Sequence, residues 1–198
     1  MPDQLQALIT FALVATASPG GATTLATASG ARFGYRRSLP LILGIAGTLA
    51  CLVALSGTSL AAVLLAMPGL DTAAKGIGSI YLLWLAMRIA GAGGPSSEDP
   101  KGARPLGAVG AGALLLVNPK AWAMALGVAS SFSELTPDPL RLGSLLAAVF
   151  LASACLSLSL WAMAGRLLAQ RLSRPVHWRL FNGAMAVLLA GAVIQLWL

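Results

Sequence analysis

The sequence predicts an all-α integral membrane protein with six transmembrane helices arranged as two inverted three-helix repeats. The chain of 198 residues is 58% hydrophobic and only 10% charged, whereas soluble domains carry about 25% charged residues. Three runs contain no charged residue at all, at 39–66, 142–165 and 180–198. Each run is long enough to cross a hydrocarbon core of about 30 Å. Further apolar segments lie before and between these runs and complete the six predicted spans.

The predicted spans are separated by short segments that hold most of the charge. They cover residues 4–31, 39–66, 69–90, 106–132, 142–166 and 180–198. Between the third and fourth spans lies GAGGPSSEDPKGARP, residues 91–105, whose Gly and Pro content is typical of a flexible linker. We therefore predict one membrane domain, with a first repeat at 1–90, a cytoplasmic linker at 91–105 and a second repeat at 106–198.

Basic residues are concentrated on one side of the predicted spans. Ten of the 13 fall in, or at the adjoining span ends of, the loops between spans 1 and 2, 3 and 4, and 5 and 6: Arg32, Arg36, Arg37, Arg88, Lys101, Arg104, Arg166, Arg171, Arg174 and Arg179. Lys75 and Arg141 fall on the other side, and Lys120 lies within the fourth span. By the positive-inside tendency, the ten face the cytoplasm and both termini lie outside it. No basic stripe with interleaved aromatic residues is present, which argues against a nucleic-acid partner.

Two spans are interrupted by proline near their middle, at Ser18-Pro19 in the first and at Asn118-Pro119 in the fourth. Ser and Asn are favoured helix N-caps and Pro is favoured at the first helical position, so each break is predicted to start a new half-helix. A helix start exposes N–H groups and carries partial positive charge, which suits a carboxylate. Paired breaks at matching positions of inverted halves indicate the binding site of a transporter, although simple structural kinks remain an alternative.

Small and polar neighbours of the breaks complete the candidate site. Gly20 and Gly21 have no side chains, so a ligand can approach the backbone closely, and Thr24 follows them as a further candidate binding residue. Thr23, Tyr81 and Trp122 are candidate lining residues of the cavity. The threonines can instead bond back to their own helix, and Tyr81 is equally compatible with packing.

Lys120 is the basic residue that lies deepest in a predicted span. It follows Leu106 by 14 residues and precedes Phe132 by 12, which puts it about 20 Å from either end of a helix. A lysine at this depth costs about 2.5–3.5 kcal/mol on insertion scales and usually faces a cavity or a partner. No Asp or Glu lies mid-span, so its partner is a substrate carboxylate, water or backbone carbonyls, the last being a purely structural role.

Other chemistries find little support in the sequence. Cys51 and Cys155 lie among apolar residues without a neighbouring base, which predicts buried, unreactive thiols. The chain shows no metal-ligand cluster, no catalytic constellation and no phosphate-binding loop. We therefore predict a transporter without metal or cofactor, rather than an enzyme.

Four segments also resemble a known family. The sequence SPGG at 18–21, the glycine-spaced basic segment at 30–48, the segment AAKGIGSIYLLWLAMRI at 73–89, and LLVNPKAW at 115–122 are similar to motifs of the lysine exporter (LysE/RhtB) translocators. These proteins export amino acids from bacteria. The resemblance runs over nearly the full length, with Gly21 where family members have a second proline.

The resemblance and the two breaks together imply a secondary exporter of a small amino acid or related zwitterion in the bacterial inner (plasma) membrane. The half-helix starts and Lys120 would hold the substrate carboxylate, carbonyls freed at the breaks would receive its ammonium group, and proton exchange or ion coupling would supply the energy. The expected partners are this substrate and the lipid bilayer, and a homo-oligomer is compatible with the sequence. Alternatives are a membrane thiol-disulfide electron carrier or a metal-ion exporter of similar inverted-repeat architecture, or a scaffold without transport activity.

Overall fold

A computed structural model of the chain describes residues 2–57, 76, 79–80, 83–84, 86–87, 89–91, 105–171 and 174–197. Seven α-helices have their bounds in these residues: α1 (Pro2–Ala17), α2 (Gly21–Phe33), α3 (Tyr35–Gly57), α4 (Ala108–Leu116), α5 (Pro119–Ser131), α6 (Pro139–Arg171) and α7 (Pro175–Trp197). A 3-10 turn at Ser133–Leu135 follows α5. Most of the predicted third span and of the predicted linker lies outside the described residues.

Some helices of the described residues are long and apolar enough to cross a membrane. α3 and α6 can each cross a bilayer alone. Two bent helix pairs, each with a short break, can supply two further spans: α1 and α2 meet at 61°, and α4 and α5 at 69°. The interruptions predicted in the first and fourth spans are therefore present. α7 covers residues 180–197 of the predicted sixth span.

The two long helices, α3 and α6, form the centre of the described structure and run antiparallel. Gly57 near the end of α3 abuts Gly143 near the start of α6, and Tyr35 at the other end bonds Ser159. α6 packs mainly against α1 and α2, whereas α3 packs mainly against α4 and α5. Each long helix thus packs against the bent pair that belongs to the other half of the chain.

Helix crossings depend on glycines that let backbones touch. A Cβ at Gly30 of α2 would overlap the backbone of Ala162 in α6, and one at Gly165 would overlap the backbone of Thr27. The spacing of Ala26, Gly30 and Gly34 by four residues predicts a continuous packing stripe. Gly34 departs from this prediction: with φ at 78° and no atom within 4 Å of a Cβ there, it forms the left-handed turn that joins α2 to α3.

The outer face of α3 carries apolar residues, as expected where lipid replaces water. Leu43, Cys51 and Leu55 lie at helical spacing and are exposed on this face. The prediction that Cys51 is buried is therefore wrong, because an apolar residue in a membrane helix need not face the protein core. Cys155 in α6 is half-buried, and both thiols are free.

Candidate functional site

The first break differs in detail from its prediction. α2 begins at Gly21 with Gly20 as its N-cap. Ser18 therefore does not cap this helix, and Pro19 does not start it. The amide of Ser18 still donates to Val14, and its hydroxyl donates to the carbonyl of Ala15, so Ser18 completes the last turn of α1. Pro19 then forms an exposed link between the two helices. A serine hydroxyl can close a preceding helix as readily as it caps a following one, and this is the role that the structure gives Ser18.

The side chain of Thr23 satisfies the backbone of the N-cap residue at the start of α2. Its hydroxyl oxygen accepts the N–H of Gly20 at 2.8 Å and donates to the Gly20 carbonyl at 2.9 Å. This arrangement is the returning half of a capping box, with Thr in place of Glu or Gln. The N–H groups of Gly21 and Ala22, in the first turn, have no intrahelical acceptor and lie beside the cavity described below.

The carbonyl groups freed at the end of α1 are paired by side chains of α6. Ser157 donates to the carbonyl of Thr16 at 2.9 Å, and the Trp161 indole donates to that of Ala17 at 3.1 Å. Sequence reasoning missed both donors. Their signal is a Ser and a Trp four residues apart in an otherwise apolar span, a spacing that places both on one face of a helix.

The second break follows its prediction closely. Asn118 caps α5 by accepting the amide of Lys120 at 3.0 Å, and Pro119 occupies the first helical position. The carbonyl of Asn118 accepts the amide of Ala121. Trp122 donates from its indole nitrogen to the carbonyl of Leu116 at 2.7 Å, which pairs the end of α4.

Lys120 joins the two breaks. Its ammonium nitrogen lies 2.7 Å from the hydroxyl oxygen of Ser18 and 3.2 Å from the Ser18 carbonyl oxygen. The structural role that the sequence left open, hydrogen bonding to backbone carbonyls, is therefore present, but with the carbonyl of the other broken helix. An ammonium group has three N–H donors, so one remains for a further acceptor.

A cavity of about 430 Å³, counting its open side, lies between the breaks and the two long helices. Its polar wall contains Ser18, Gly20, Gly21, Thr23, Asn118 and Lys120. Its remaining wall consists of Ala15, Thr16, Ala22, Ile45, Leu49, Leu115, Ala121, Met124, Ala154 and Leu158. Lys120 is the only charged residue among these lining residues.

Some of the predicted site residues lie away from this cavity. Thr24 is buried within α2 and is not part of the lining. Trp122 is hydrogen-bonded to the end of α4 and does not line the cavity. Tyr81 lies outside the described residues. The two cysteines do not line the cavity, and the described part of the chain contains no group of three metal-ligating side chains.

Comparisons with known proteins identify the family of the chain. The model of the LysE type translocator family matches residues 13–198. Cysteine/O-acetylserine efflux proteins of Escherichia coli strain K12 and of Shigella sonnei strain Ss046 are each 29% identical over 98% of this chain and 98% of their own length. No solved structure matches the chain significantly. From the family match over most of its length, the chain belongs to the LysE type translocators and is a membrane transporter rather than an enzyme.

Proposed function

We propose that the protein is a secondary exporter of a small amino acid or related zwitterion, and that the cavity between the two breaks is its binding site. The observation that carries this proposal is the contact of Lys120 with Ser18, which brings a cation and two helix breaks to one cavity. The names of the relatives, cysteine/O-acetylserine efflux proteins, support a small amino-acid substrate.

The two helix starts are not equivalent as carboxylate sites. At α5, Pro119 has no N–H, and the amides of Lys120 and Ala121 already donate to Asn118. At α2, the amides of Gly21 and Ala22 are open to a ligand. In this proposal the first break holds the carboxylate by backbone N–H groups, and the second break contributes the charge of Lys120.

The substrate ammonium group finds no carboxylate in the lining of the cavity. The carbonyl oxygens of Thr16 and Ser18, both lining residues, each accept one donor from the protein. A carbonyl oxygen has two lone pairs, so each can accept a second hydrogen bond. These oxygens are the proposed partners of the ammonium group, a few atoms away from the carboxylate site.

The proposed membrane orientation has the basic end of the structure in the cytoplasm. Because α3 and α6 are antiparallel, Arg36 lies at the same end as Arg166, and Arg141 lies at the opposite end. α1 runs parallel to α6, since Thr16 bonds Ser157 and Phe11 contacts Phe150. The N-terminus is therefore proposed to lie outside the cytoplasm. In this proposal the two halves of the chain form an inverted repeat of three spans each, and rocking of one half against the other alternates access to the site.

Both alternative transport functions lack a site of their own. A thiol-disulfide carrier needs reactive cysteines at the breaks, but Cys51 is exposed on the outer face of α3, and neither Cys51 nor Cys155 lines the cavity. A metal-ion exporter needs carboxylates or other ligands at mid-membrane, and no such cluster occurs in the part of the chain that the structure describes.

Transport by the purified protein in vesicles tests the proposal. Vesicles loaded with labelled cysteine, O-acetylserine, alanine or glycine are expected to lose label faster with the protein than without it. Lys120→Gln should abolish most of this difference, whereas Arg171→Gln, an exposed basic residue at the end of α6, should retain it. Equal release from vesicles with and without the protein, for every substrate, would refute amino-acid export.

A further inference from the structure

The apolar walls of the cavity are unequal. α3 presents Ile45 and Leu49, four residues apart, and α6 presents Ala154 and Leu158 at the same spacing. All four side chains are buried, with exposed fractions of 2–3%. Three of the four carry a branched four-carbon side chain, whereas Ala154 carries only a methyl group. Because Ala154 has the smallest of these four side chains, the wall at this position leaves more room for a ligand side chain than the wall at Ile45, Leu49 or Leu158.

The charge of the lining also selects among ligands. Lys120 is positive, and no Asp or Glu lies among the residues of the lining. A ligand with a cationic side chain would add a second positive charge close to Lys120. That added charge would have no anionic partner in a partly desolvated site. Such an unpaired charge is strongly unfavourable, so the carboxylate and one ammonium group are the charges that this site can accommodate.

We infer that Ala154 forms the side-chain subsite of the proposed amino-acid site, and that this subsite accepts small uncharged side chains and excludes cationic ones. The inference rests on the proposed function, since it presumes that Lys120 holds the carboxylate. Leu158 and Met124 line the same cavity, and the flexible thioether of Met124 would let the subsite adapt its shape to the bound side chain. Residue 154 then determines how large a side chain the protein exports.

Competition binding with the purified full-length protein tests the subsite. Glycine probes the carboxylate site alone, alanine and valine probe the subsite, and lysine probes its charge selection. We expect glycine, alanine and valine to bind and lysine to bind at least about tenfold more weakly than valine. If lysine binds as tightly as valine, the subsite is wrong while the proposed function stands. If none of the four binds, both are wrong.

Two substitutions at Ala154 sharpen the test. Ala154→Val should weaken valine at least about tenfold and glycine less than about threefold, because an extra pair of methyl groups fills the subsite only. Ala154→Gly should tighten the binding of leucine, because it enlarges the subsite. This variant adds no atoms to the packed helix, so it is less prone to misfolding than Ala154→Val. The matched control is Ala152→Val, at an exposed position of the same helix. Equal losses for glycine and valine in Ala154→Val, with leucine unchanged in Ala154→Gly, would overturn the assignment.

Discussion

The ammonium nitrogen of Lys120 lies 2.7 Å from the hydroxyl oxygen of Ser18, and this contact joins two helix breaks that are 102 residues apart in the chain. Lys120 lies in the first turn of the second half-helix of one bent pair, and Ser18 closes the last turn of the first half-helix of the other. The contact therefore holds a cation at the interface of the two halves, where a substrate that binds both breaks would interact with it.

Replacing Lys120 is expected to weaken substrate binding more than any other single change at the site. Lys120→Gln removes the charge, and a charge-assisted hydrogen bond contributes about 1.5–3 kcal/mol, or a loss of roughly ten- to hundredfold in affinity. Lys120→Arg should recover only part of it, because a planar guanidinium cannot match the compact ammonium between Ser18 and the ligand. Binding to the purified variants measures the effect, with folding checked by thermal unfolding, and wild-type affinity in Lys120→Gln would make the lysine purely structural.

Ser18→Ala should reduce affinity by a smaller factor. The variant removes one acceptor of the Lys120 ammonium group but leaves the carbonyl, so the lysine loses one of two positioning bonds. A net hydrogen bond contributes about 0.5–1.5 kcal/mol, which corresponds to a loss of roughly two- to tenfold. Ser18→Thr should restore binding because it keeps the hydroxyl. A variant Ser18→Ala that binds as the wild type would show that the hydroxyl does not position Lys120.

Gly20→Ala should reduce binding without harm to the fold. The backbone of Gly20 is extended, with φ at 176°, and a Cβ there would lie 3.5 Å from the Lys120 ammonium nitrogen, an ordinary contact. The added methyl group fills the space through which a carboxylate would reach the ammonium, so we expect affinity to fall about tenfold. Gly127→Ala, on α5 with open space around it, is the control. Unchanged binding in Gly20→Ala would place the ligand elsewhere.

Gly30→Ala should destabilise the protein, because its Cβ would overlap the backbone of Ala162 and force α2 away from α6. Overpacking of this kind costs about 1–3 kcal/mol, and more where the backbone must move. Thermal unfolding in detergent measures the cost. Gly47→Ala, in α3 with no atom near the added carbon, should unfold at or slightly above the wild-type temperature. Similar unfolding temperatures for the two variants would mean that the close crossing of α2 and α6 is not required.

Cysteine labelling tests the orientation of the chain. In a variant without Cys51 and Cys155, single cysteines at Arg36 and Arg174 should be shielded from an impermeant thiol reagent in intact cells, because basic ends face the cytoplasm. A cysteine at Arg141, at the opposite end of α6, should react. Permeabilised cells provide the control for reactivity at all three positions. Labelling at Arg36 in intact cells, with protection at Arg141, would reverse the proposed orientation.

The sequence alone determined the features that depend on local chemistry. Long uncharged runs predict apolar helices because apolar side chains are stable in the hydrocarbon core of a bilayer. Asn118-Pro119 predicts a helix start because the Asn cap and the missing N–H of Pro both act within one helical turn. The depth of Lys120 in its span, set by counting residues, predicted a partner in the protein or a ligand. These features require no knowledge of which helices are neighbours.

The tertiary structure decided what the breaks do with their freed groups. Ser18 caps nothing and instead closes α1 and holds Lys120, and the carbonyls of Thr16 and Ala17 are paired by Ser157 and Trp161 of α6. The choice between these roles depends on which side chains come within about 3 Å, and such contacts join residues more than 100 positions apart. A hydrogen bond acts only over that short range, so helix packing, rather than local sequence, selects the partners.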